Sequence, residues 1–341
     1  MSWLLCGDPV SNDFLAQGNR GYFSAAVIIV SDIHSGEIKM IRKRFVIFIT
    51  ATIVCSCETA LACACGCNVF AVGTKWTMPT SAGLSMFLHY DYMDQNQTWG
   101  SWNQAPADAL EDIDLRTNFY TIGAQYMASR DWGVSIETPV WNRYFKTTDE
   151  DGNVVSANHT SLGDVRLMGM YAGLFEDMSV GLQFGLKLPT GSFRQSLLDR
   201  DTQIGTGTTD LLLGGYRMGQ ESGWGWYVQT LWQRALNSRE GYRPGDDFDV
   251  SGGVHYDKLV SELGVVPMIQ IVASFRAIDS GSNADPENTG YERVYLSPGI
   301  EVVAVSNLNL YADLRIPLVT HVRGYQLVAP SLVSIALGWR I

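Results

Sequence analysis

The chain has 341 residues, 46% of them hydrophobic, 17% charged and 11% aromatic, with 34 glycines and a net charge of −11. An acidic balance of this kind excludes a nucleic-acid partner, because phosphate recognition needs a basic surface. So few charges and so many glycines suit a chain of strands and turns with little charged exterior.

Residues 1–39 show no helical or strand period. They read as an upstream extension outside the native protein, with translation starting at Met40. Residues 40–62 read as a signal peptide. Arg42, Lys43 and Arg44 are its basic start. Phe45 to Val54 is an apolar run too short to span a bilayer, and Ala60-Leu61-Ala62 has the form of a cleavage site.

Residues 63–81 follow as a cysteine-bearing periplasmic N-terminal segment. All six cysteines, Cys6, Cys55, Cys57, Cys63, Cys65 and Cys67, precede Phe70. A cysteine-free body fits a protein that crosses an oxidising compartment unfolded. Cys63, Cys65 and Cys67 are weak candidates for a soft-metal or redox site, since three thiolates within five residues make a strained, incomplete one. Cys63 would become the first mature residue, but Ala60 stands where a lipidation signal usually has leucine. No haem-attachment motif is present, and no cofactor is expected. The segment is also where a periplasmic partner would dock.

The body, 82–341, alternates with period two. In 118–128, Tyr120, Ile122, Ala124 and Tyr126 oppose Thr121, Gly123 and Gln125. In 179–189, Val180, Leu182, Phe184, Leu186 and Leu188 oppose Gly181, Gln183, Gly185 and Lys187. In 307–318, Leu308, Leu310, Ala312, Leu314, Ile316 and Leu318 oppose Asn309, Tyr311, Asp313 and Arg315. Such alternation gives a strand one apolar and one polar face. Short connections fall near 129–133, 174–178, 219–223, 257–261 and 305–308. Long ones fall near 96–112, 146–160, 190–206, 237–247, 279–290 and 320–327. Strict alternation of long and short predicts a transmembrane, antiparallel, up-and-down β-barrel of about twelve strands, with short periplasmic turns and longer outer loops. Tyr90, Tyr92, Trp224, Trp226, Trp232 and Trp339 fall near strand ends, where aromatic rings favour the bilayer interface. The last strand, ending in Val333, Ile335, Leu337, Trp339 and Ile341, is of the kind that barrel-assembly machinery reads, although Ile341 replaces the usual aromatic residue. The expected place is the bacterial outer membrane, in contact with its lipid.

Three motifs stand in order along the body: Gly163-Asp164-Val165, Leu186-Lys187-Leu188-Pro189-Thr190-Gly191 and Gly205-Thr206-Gly207-Thr208-Thr209-Asp210. Together they resemble the family of Gram-negative outer-membrane transporter-like barrels of the phenol meta-pathway (MetA-like) type. The resemblance implies a barrel that passes small, often hydrophobic molecules, and brings no catalytic or ligand residues. Read by themselves, Pro189 ends a ladder for want of an N–H, and the glycines serve turns at the rim.

Alternation places Asp164, Arg166, Lys187, Asp210, Asp313 and Arg315 on the lumen face. A Lys or Arg facing lipid at mid-membrane would cost roughly 2–4 kcal/mol. Asp164, Lys187 and Asp210 lie on consecutive strands and form a cross-strand ladder that either braces the barrel or sets selectivity. The five histidines show no metal-binding or catalytic spacing, so the chain does not read as an enzyme. The expected function is a channel or transporter for small, hydrophobic or aromatic solutes. The alternative is a non-conducting barrel serving as sheath or scaffold for a periplasmic or electron-transfer partner.

Overall fold

Period-two alternation gives each strand two unlike faces, and a closed ring is the way such strands cross hydrocarbon with every backbone group paired. The computed structural model describes residues 69–70, 78–149, 151–305 and 307–341, all within the unit Ser56–Ile341. The proposed extension over 1–39 and signal peptide over 40–62 lie outside the described residues.

Among the described residues, β1 (Gly83–Gln95), β2 (Gln97–Ser101) and β3 (Asn103–Gln104) come first. Next are β4 (Asp112–Met127), β5 (Trp132–Thr148), β6 (Val154–Leu162), β7 (Val165–Tyr171) and β8 (Val180–Leu188). Then come β9 (Asp210–Glu221), β10 (Trp224–Ala235), β11 (Asp247–Tyr256) and β12 (Val265–Arg276). β13 (Tyr291–Val305), β14 (Leu308–Val328) and β15 (Leu332–Arg340) end the chain. Setting β2, β3 and β6 aside, the other twelve pair in sequence order, all antiparallel, and β15 closes on β1 from Ser85↔Arg340 to Met93↔Leu332. The fold is a closed twelve-stranded antiparallel barrel, as the connection lengths predict.

Faces follow the sequence pattern. Ile122 is 59% exposed on the outside, whereas Thr117 on the same strand is fully buried inside. Leu182, Phe184 and Leu186 are exposed, and Gln183 and Lys187 are buried. Exposed apolar side chains circling a barrel are stable only in lipid. Rings collect at the end with the short turns: Trp132 lies 4.7 Å from Tyr171, and Trp224 lies 4.8 Å from Tyr256.

The turns explain themselves locally. Ser222 (φ 54°) and Gly223 (φ 87°) both take positive φ, the two-residue hairpin geometry whose twist matches the strands. Residues 257–264 form a short helical turn stopped by Gly264 at φ 68°, whose N–H bonds to Val260 O.

The long connections depart from expectation. The predicted loop at 320–327 is strand: β14 runs 21 residues and its outer part pairs with β2, from Val322↔Ser101 to Val328↔Gln97. The predicted loop at 146–160 mostly holds the end of β5 and most of β6, paired from Thr148↔Val154 to Val140↔Leu162. The physical reason is shared. β15 reaches only Arg315 on β14, and β7 reaches only Glu137 on β5. The longer strand then offers unpaired backbone, and a segment of the neighbouring loop satisfies it.

The side assignment is testable. Cysteines placed at 150–152 or 283–286 should react with an impermeant thiol reagent on intact cells. Cysteines at 129–130 or 222 should react only after the outer membrane is opened. The opposite labelling would invert the barrel.

Candidate functional site

Lys187 sits between Leu186 and Leu188, both on the lipid face, so alternation alone aims it inward. Its Nζ lies 2.9 Å from Asp164 Oδ2 and 3.0 Å from Asp210 Oδ2. All three side chains are buried. Asp164 also accepts from the N–H of Gly191 at 2.9 Å and from the N–H and hydroxyl of Thr206 at 3.0 and 2.9 Å. Asp210 accepts from Thr208 Oγ1 at 2.6 Å and Gln233 Nε2 at 2.7 Å. Thr190 ties the first motif to the second, donating to Gly163 O at 2.8 Å and accepting from the N–H of Val165 at 2.9 Å. The three sequence motifs therefore converge on one spot. Their glycines allow it: a Cβ on Gly205 would meet Gly191 backbone at 2.4 Å. This close approach, rather than a turn at the rim, accounts for Gly191 and Gly205.

The convergence draws the segment 189–209 inward. Arg143, fully buried, holds its middle: Nε donates to Thr117 Oγ1 at 3.0 Å, and Nη1 donates to Thr202 O and to Gln203 O. Arg143 alternates with the outward Asn142 and Tyr144 in the sequence, a signal that could have marked it.

The second predicted pair forms separately. Arg315 Nε lies 3.2 Å from Asp313 Oδ2, with both side chains fully buried, and Ser297 Oγ also donates to Asp313. Arg315 Nη1 donates to Val69 O, and its guanidinium lies 5.1 Å from the centre of the Phe70 ring. Phe70 packs 5.4 Å from Phe119, which meets Trp141 edge-on at 4.8 Å. Val69 and Phe70, within the cysteine-bearing segment, thus lie inside the barrel, packed with Met93, Leu212, Leu231 and Val272. A lone apolar pair carries no period, so alternation could not mark it. Arg166, the remaining candidate, donates from Nη2 to Gln233 Oε1 at 3.4 Å.

Between these groups lies a cavity of about 130 Å³. Its lining combines the aromatic Phe70, Phe87, Phe119 and Trp141 with the polar Arg166, Lys187, Arg200, Thr206 and Tyr242. Arg200 was missed by alternation because it lies in the 189–209 connection, outside any strand. Its guanidinium lies 4.9 Å from the Phe193 ring centre and 4.5 Å from that of Tyr242. Its Nη2 donates to Thr206 O, while its Nε and Nη1 are buried without a hydrogen-bond partner among the described residues. Burial holds the Arg200 pKa below its ordinary value, and Tyr242, Glu240, Asp164 and Asp201 pull it partly back.

Among the described residues, no group of three or more His, Cys, Asp or Glu side chains could hold a metal ion. Cys63, Cys65 and Cys67 lie outside the described residues.

No family model and no curated protein matches the chain. Its fold is similar to that of an outer membrane channel from Pseudomonas putida F1, with a TM-score of 0.61 and 11% identity over 79% of this chain and 99% of that one. It is more distantly similar to the β domain of the Bordetella autotransporter BrkA (TM-score 0.45, 14% identity, 76% of this chain and 100% of that one). The toluene transporter TbuX of Ralstonia pickettii gives a TM-score of 0.42 at 10% identity, over 83% of this chain and 96% of that one. Identities this low speak to the fold alone.

Proposed function

We propose that this closed barrel is an outer-membrane channel passing small, hydrophobic or aromatic molecules, of the phenol meta-pathway-like kind its motifs resemble. The observation that carries this reading is the lumen cavity, lined both by Phe70, Phe87, Phe119 and Trp141 and by charged groups. A barrel core built only for rigidity would be packed without such a space. Rings favour apolar and aromatic solutes, and the polar lining offers them a path to water. Within this reading, Asp164, Arg166, Lys187, Asp210, Asp313 and Arg315 mainly brace the wall, since their pairings leave little free charge toward a passing ion. Residues 40–62 would export the chain, and barrel-assembly machinery would insert it.

Liposome swelling tests it. Vesicles carrying the folded barrel should admit single-ring neutral solutes faster than sugars of equal mass. Equal rates for both would mean a general pore.

The second reading is a non-conducting scaffold. It draws support from Val69 and Phe70, which occupy the lumen. Absence of swelling with every solute, and of current in planar bilayers, would favour it.

A further inference from the structure

We infer that the lumen cavity binds small aromatic carboxylates, with the ring among Phe70, Phe87 and Phe119 and the carboxylate on Arg200. The inference deepens the channel reading above and rests on it.

The other cations on this cavity are already committed. Lys187 is held by two carboxylates, Arg276 lies 3.2 Å from Asp279 and 3.7 Å from Asp247, and Arg166 bonds to Gln233. Arg200 differs. Phe193 and Tyr242 lie over its guanidinium, and two of its nitrogens lack an acceptor. Stacked rings leave the edges of a guanidinium as its free hydrogen-bonding positions, and its N–H groups match a carboxylate. An incoming carboxylate would supply the acceptors that the free barrel lacks, with the Arg200 side chain turning toward it.

Of the acids on the cavity, Asp201 is next to Arg200 in the chain and acts on its charge, and Asp247 lies by Arg276. Asp164 is saturated by Lys187, Gly191 and Thr206, and Asp91 accepts from Ser334 Oγ. Glu137 lies opposite Arg166, its register partner on β7, and both line a second, smaller space with Phe87, Gln125 and Ser135. The space of about 130 Å³ would hold roughly ten waters, enough for one ring and one head group.

Calorimetry on the folded barrel in detergent, with benzoate and benzamide as probes, tests the site without requiring transport. Benzoate should bind about tenfold more tightly, the order expected when a charge-assisted hydrogen bond replaces a neutral one. Arg200→Gln should remove the difference between the two. Equal binding of both probes by the native barrel, or a preference that survives Arg200→Gln, would overturn the inference. Should Arg200→Gln fail to fold, the native comparison still decides, and Arg200→Lys should weaken the preference without reversing it. Swelling assays with the same two solutes separate the readings. Benzoate binding without passage would sink the channel and keep the site. Passage of benzamide as readily as benzoate, with no binding preference, would sink the site and keep the channel.

Discussion

Replacing Lys187 with methionine should destabilise the barrel by about 3–5 kcal/mol, the cost of removing one partner from a buried ion pair. The side chain is nearly isosteric, so packing changes little. What remains is two buried carboxylates, Asp164 and Asp210, that shared one ammonium at 2.9 and 3.0 Å. Each keeps neutral donors, but none carries positive charge toward them at that distance. The readout is the urea midpoint and the temperature at which the barrel loses its compact migration on gels. Adding Asp164→Asn and Asp210→Asn to the same chain should recover most of the loss, because the uncompensated charge is gone. Lys187→Glu should be worse than Lys187→Met, since it places a third acid on adjacent strands. A Lys187→Glu barrel that folds normally and shifts toward cation selectivity would show that Lys187 selects ions and does not brace the wall.

Phe70→Gly should raise single-channel conductance more than any other single change in the lumen. The ring is only 9% exposed, and it lies between the Arg315 guanidinium and Phe119. Removing it takes an aromatic plug from the passage while leaving the strand ladder untouched. Planar-bilayer recording measures the effect, with the gel-shift temperature as a control that the barrel is otherwise intact. Unchanged conductance would mean that residues 69–70 lie beside the path and not in it.

The barrel wall was legible because lipid imposes a strict test on every second residue. Leu308 to Leu318 and Val180 to Leu188 alternate in the sequence as their exposure alternates in the structure. The meeting of Lys187 with Asp164 and Asp210 was legible for a related reason: adjacent strands in an up-and-down barrel are also adjacent in sequence. The resemblance grouped three motifs, and the structure supplies the physical cause, a loop drawn inward until Gly191 and Gly205 touch. What alternation could not reveal was pairing between distant segments. β2 and β6 look like loops because their glycines and polar residues resemble turn chemistry, and their partners lie on strands already assigned elsewhere. Val69 and Phe70 were illegible because two apolar residues define no face. Arg200 was illegible because nothing in a connection marks which cation will be left short of acceptors.

The long strand β14 also says something about the order in which the barrel is made. Its lower part pairs with β15, the next strand to emerge, but its upper part waits for β2, which left the ribosome near the beginning. Gln95 Nε2 donates to Leu327 O at 2.9 Å across 232 residues of chain. Contacts of such separation carry a large loop-closure cost and form late. The upper seam, like the closure of β15 on β1, is therefore a late event of folding. Until then the exposed backbone of β14 is an open sheet edge facing outward, and anything that slows the first connection lengthens the time the unfinished barrel can pair with a neighbour instead of with itself.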